Sequence, residues 1–155
     1  MKITAKILTL LMLVAMATFS VSCGGDDDEK SDREVQIDKL VGTWNATEVL
    51  FEGSTPPLDH SKFQLVITKD GKTRAKYEAL GRPQGPSAWP ASGSFEFGSN
   101  AKTNLIRDDQ TNIQYSVTDT ELTMSFTFTG EPYAASGGRA KNVEGGWDFK
   151  FTKVQ

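Results

Sequence analysis

Few side chains in this chain are equipped for chemistry: one cysteine, Cys23, one histidine, His60, a pair of adjacent acids in a predicted loop, Asp108 and Asp109, and the cation Arg139 among glycines. A Ser or Thr nucleophile needs a base within hydrogen-bond reach, and His60 is the only imidazole that can supply one. With no second histidine and no cysteine near it, His60 cannot complete a metal site and reads as a surface histidine. Paired carboxylates can run glycoside hydrolysis, but sequence neighbours on a turn point apart unless the turn folds back. Asp108 and Asp109 therefore read as turn-forming, solubilising acids. No Gly-x-Ser-x-Gly elbow, phosphate-binding glycine loop or dinucleotide fingerprint occurs. The expectation is a protein that is not an enzyme and uses no cofactor and no metal.

Cys23 has a different setting. Lys2 and Lys6 precede an apolar run from Ile7 to Ala17, then small residues lead to the cysteine, the three-part layout of a secretory signal. A bilayer-spanning helix needs about 20 apolar residues, so this run is too short to remain in the membrane and is expected to be cleaved. A signal ending at cysteine resembles that of a bacterial lipoprotein, with Ser20 standing where the family's lipobox carries leucine, followed by Val21 and Ser22. After it, Gly24, Gly25, Asp26, Asp27, Asp28 and Glu29 resemble the acidic export signal of Bacteroidetes-type surface lipoproteins. The resemblance implies lipidation at Cys23, a membrane partner reached through that anchor, and an outer-membrane, surface-exposed location, with a periplasm-facing one still open. Residues 1–22 are then the signal peptide and 23–33 the lipidated cysteine with a charged, flexible tether.

Charge removes other classes. Losing residues 1–22 takes away two lysines and no acid, so 17 bases against 20 acids become 15 against 20. From Glu34 onward the balance is 13 bases to 15 acids, which offers no electrostatic footprint for nucleic acid.

Residues 34–155 suit one domain with one core. The stretch 121–129 alternates strictly: Leu122, Met124, Phe126 and Phe128 apolar, their neighbours polar, as in a strand buried on one face. The same pattern predicts strands near 43–51, 62–68, 73–79, 93–97, 103–107, 112–118 and 146–153. Gly71 in the 69–72 turn supplies the positive φ of a tight hairpin. Only 31–41 reads as helix, with Ser31 or Asp32 as N-cap. Eight antiparallel strands on mostly short links have exposed edges unless they close, so the predicted fold is all-β, an eight-stranded up-and-down barrel with a short N-terminal helix. A two-sheet sandwich is the alternative.

Leu40-Val41-Gly42-Thr43-Trp44 at the first strand resembles the Gly-x-Trp motif of lipocalins and lipocalin-like calycins. That resemblance implies a structural trio: Gly42, Trp44 at the closed end, and a basic residue near the end of the last strand, here Lys153 or else Lys150. It also implies a mouth at the other end.

In such a meander the odd-numbered links share one end, and three of the four are long: 52–61, 80–92 and 130–145, beside 108–111. Long loops on a rigid scaffold are where binding groups are mounted. The candidate ligand-binding residues are therefore Trp89, Tyr133 and Arg139 in the loops, with Tyr115, Phe126 and Phe128, beside Phe95 and Phe97, pointing inward. Trp89, among Pro83, Pro86 and Pro90, either gates a cavity, meets a partner, or folds down to seal the barrel. Arg139 either grips an anionic headgroup or pairs with Asp108 or Asp109. Two functions follow: binding of a small apolar or amphipathic ligand, or a non-catalytic accessory role in which a side-chain-filled barrel docks a surface protein.

Overall fold

The computed structural model describes residues 30–134 and 143–155, so Cys23, the signal segment and Arg139 lie outside the described residues. Ser31 caps helix α1 (Asp32–Leu40) in a reciprocal capping box: its hydroxyl accepts from the Glu34 backbone N–H, while the Glu34 carboxylate accepts from the Ser31 backbone. The helix thus begins inside the segment assigned to the tether. Its buried face is Gln36, Ile37 and Leu40.

Among the described residues ten strands follow: β1 (Gly42–Phe51), β2 (Gln64–Lys69), β3 (Arg74–Leu80), β4 (Pro86–Ser87), β5 (Ser92–Phe97), β6 (Asn104–Arg107), β7 (Asn112–Val117), β8 (Glu121–Phe128), β9 (Tyr133–Ala134) and β10 (Gly145–Lys153). Eight of them form a closed antiparallel barrel in the order β1-β10-β8-β7-β6-β5-β3-β2. These are the eight strands that the alternation predicts. The extra two, β4 and β9, lie in the long links and pair with each other, Pro86 with Ala134 and Ser87 with Tyr133.

Closure is made where β1 meets β10, from Trp44 opposite Lys153 to Phe51 opposite Trp147. The register shifts between Ala46 and Glu48, and a bulge of this kind bends a strand tightly enough to close a small barrel. Strand alternation sends Leu65, Ile67, Ala75, Tyr77, Phe95, Leu122, Met124, Phe126, Trp147, Phe149 and Phe151 into one core.

The helix end is sealed around Trp44. Its indole N–H donates to the Leu40 carbonyl at 2.8 Å, and the Lys153 ammonium stands 4.9 Å from its ring centroid. The same ammonium donates to the Lys39 carbonyl at 3.3 Å, tying the last strand to the helix. Gly42 admits it: a Cβ at that position would fall 2.5 Å from Lys153 Cε, and its φ of +144° disfavours other residues. Lys150 points outward instead, paired with Glu48.

Trp44→Ala should cost about 3–5 kcal/mol of unfolding free energy, and Lys153→Met about 1 kcal/mol from loss of the cation over the ring. Urea denaturation of both variants checks this; equal, negligible losses would remove the plug at this end.

Candidate binding site

All four odd-numbered links gather at the end opposite the helix. Three contacts show it: β4 from the 81–91 link pairs with β9 from the link that follows β8, Tyr133 of that last link reaches Asp109 of the 108–111 link, and Phe63 at the close of the first link touches Trp89. The loop 81–91 leaves β3 at Gly81, whose φ is +58° and where a Cβ would lie 1.9 Å from the Lys62 carbonyl oxygen, so glycine is required. From there it dips into the barrel, burying Pro83, Pro86, Ser87, Ala88 and Trp89. The structure folds Trp89 down into the barrel mouth.

Trp89 is 1 % exposed and stands edge-on to four rings: Tyr77 at 5.5 Å, Phe126 at 5.5 Å, Phe149 at 5.8 Å and Phe95 at 6.2 Å between centroids. These are favourable edge-to-face separations, and they leave the upper barrel occupied by side chains. Phe126 belongs to this group. Phe128 sits nearer the rim against Tyr133, at 5.8 Å. Tyr115 is at the other end: its hydroxyl donates to the Ala101 carbonyl and lies 3.4 Å from Gln36 Oε1 of the helix. The six residues proposed for ligand binding are therefore not one cluster; Trp89, Phe126, Phe128 and Tyr133 come together, and Tyr115 does not join them.

The centre of that cluster is Arg107, the last residue of β6 and fully buried. It shares the inward face with Leu105, two residues earlier. Its guanidinium stands 5.0 Å from the Trp89 ring centroid, 5.3 Å from Phe126 and 5.9 Å from Tyr133. Nε and Nη2 donate side-on to the two oxygens of Asp109, at 2.9 and 2.7 Å, and Nη2 also reaches Thr111 Oγ1 at 3.2 Å. Gln110, with φ of 69°, turns the 108–111 link back so that Asp109 can meet a side chain of the strand it follows. Asp108 turns to the adjoining strand instead, accepting from the Ser94 backbone N–H at 3.0 Å. The two acids are thus separated in task, and among the described residues the cation that pairs with Asp109 is Arg107.

Burial works against ionisation of Asp109, but hydrogen bonds from Arg107, the Tyr133 hydroxyl (2.6 Å) and the Thr111 N–H outweigh it and hold the carboxyl well below the usual range. Tyr133, by burial and by donating to that carboxylate, is pushed up to about 12. Tyr77 is raised further, mainly by burial, and stays a neutral phenol.

Among the described residues, three buried polar atoms near Trp89 find no hydrogen-bond partner: Trp89 Nε1, Tyr77 Oη and Arg107 Nη1. The contrast among the tryptophans is sharp. Trp44 and Trp147 each donate to the carbonyl four residues before them, Leu40 and Val143, whereas the Trp89 indole donates to nothing. An unmet buried donor costs about 1–3 kcal/mol, so this seal is held by ring packing against an electrostatic penalty.

His60 is buried rather than on the surface. Its ring packs between Trp147 and Phe63, with Nδ1 2.8 Å from the Leu58 carbonyl, and burial lowers its pKa. Packing against aromatics on a loop that folds inward produces this, and spacing alone does not reveal it. Among the described residues no group of three His, Cys, Asp or Glu is placed to hold a metal. Arg107 had one legible signal, its parity with Leu105 on an inward face. No protein-family model matches the chain, and no curated protein does.

Because the folded pKa of Asp109 lies below its unfolded value near 4, its contribution to stability is complete above pH about 4 and is lost as pH falls below that. Asp109→Asn should therefore be less stable than the native chain at pH 7, with the gap narrowing on acidification. Thermal melts across pH 2–7 would contradict this if the gap stayed constant.

Proposed function

We propose that the protein is a lipid-anchored, lipocalin-like lipoprotein of the outer membrane, displayed at the cell surface, that binds a small apolar or amphipathic molecule at the loop end of its barrel. It is not a catalyst in this reading: the His60 ring packs against Trp147, Phe63 and Phe149, with its Nδ1 taken up by the Leu58 carbonyl. The observation that carries the reading is Arg107, a cation fixed in the middle of an aromatic interior beneath a loop whose indole N–H is unmet. A buried ion pair seldom improves on well-packed apolar residues for stability alone, so its presence here points to a task. In the closed arrangement Trp89 occupies the ligand's place, and binding requires loop 81–91 to withdraw it.

A second reading has its own support. The density of rings around Trp89 favours a permanently filled scaffold that docks a surface protein through its rim. The anchor is common to both: Cys23→Ser should move the chain from the membrane fraction to the soluble one, and retention there would remove the lipoprotein assignment.

An environment-sensitive apolar dye separates the two. With a gated interior, the native chain takes up dye weakly and Trp89→Ala takes it up about tenfold more tightly, since no indole has to leave. No uptake by either would favour the filled scaffold.

A further inference from the structure

The polar groups left when Trp89 withdraws specify the chemistry of the headgroup, an argument that rests on the gated-interior reading above. Asp109 engages Arg107 side-on through both oxygens, so the charge of the guanidinium is already matched. What remains free is donor capacity: Nη1 carries N–H groups without an acceptor, and Tyr77 Oη is unpartnered and kept protonated by burial. Two carboxylates face this region, Asp109 on the guanidinium and Asp108 at the adjoining edge of β5, and Tyr133 adds a phenol already committed to Asp109. A second anion would enter a low-dielectric interior beside two acids and one matched cation, where it gains little and loses its hydration. A neutral oxygen acceptor meets no such penalty and satisfies donors that are otherwise unmet.

We propose that the barrel interior is selective for single-chain amphiphiles with an uncharged, oxygen-accepting headgroup, as in a monoglyceride, and discriminates against carboxylates of the same chain. The apolar tail lies among Phe126, Phe149, Phe95 and Tyr77, and the headgroup accepts from Arg107 Nη1 and Tyr77 Oη. Asp109 is the residue that sets the preference, by cancelling the charge of Arg107 rather than by touching the ligand.

The test compares octanoic acid with its monoglyceride on the purified full chain by calorimetry. At neutral pH the native chain should bind the monoglyceride at least about tenfold more tightly than the acid. Asp109→Asn uncovers the guanidinium charge and should reverse that order. A measurement without a variant guards against loss of folding: lowering the pH below the pKa of octanoic acid should bring its affinity for the native chain up to that of the monoglyceride. Preference of the native chain for octanoate at neutral pH overturns the selectivity while leaving the gated interior standing. Failure of both probes to bind the native chain and Trp89→Ala alike overturns the gated interior and the selectivity with it.

Discussion

The seam between β1 and β10 is the constraint on which the rest of the molecule depends. Joining the first and last strands removes both sheet edges at once, and it sets a fixed circumference around which inward side chains must fit. That seam places Trp44 and Lys153 opposite each other at one end, and Phe51 and Trp147 at the other. Each end is then sealed by a tryptophan supplied from outside the run of inward strand residues or at its margin. The two seals differ in kind. Trp44 is held by an indole hydrogen bond, a cation and a helix; Trp89 is held by ring packing, the Arg107 cation and contacts to its backbone, with its indole N–H bonded to nothing among the described residues.

That difference bears on dynamics. A barrel whose walls are a continuous hydrogen-bonded ladder opens only by global unfolding, whereas a loop held by a two-residue ribbon and aromatic packing belongs to the low-stability part of a structure. Loop 81–91 is attached at Gly81, lies against the Arg82 side chain, whose Nη1 donates to the Trp89 carbonyl at 3.1 Å, and is bridged through β4 to β9. Releasing it leaves the closed end and the seam untouched. The Arg107, Asp109 and Tyr133 chain couples the opposite side of the mouth to the same region, so the rim is joined through polar contacts as well as backbone.

The fold was legible because period-two alternation survives in β3, β8 and β10, and because the Gly-x-Trp resemblance pointed to Gly42, Trp44 and Lys153, which the closed barrel brings together. The end at which the links converge followed from the meander itself. The site was less legible, for reasons of length and distance. β6 has four residues, so parity with Leu105 is the single sign that Arg107 points inward, and its partner Asp109 is reached only because Gln110 adopts a left-handed turn. β4 and β9 have two residues each and no periodicity to detect. Tyr115 was grouped with the mouth by its parity, which gives the face of a strand but not the height of a long side chain along the barrel axis.

The most direct test of the account follows the three indole N–H groups by nuclear magnetic resonance while a monoglyceride is added to the full chain. The account requires the Trp89 signal to shift and lose its protection from solvent exchange, with Trp44 and Trp147, both bonded to backbone carbonyls, holding theirs. A Trp89 signal that stays protected and unmoved at saturating monoglyceride would contradict it.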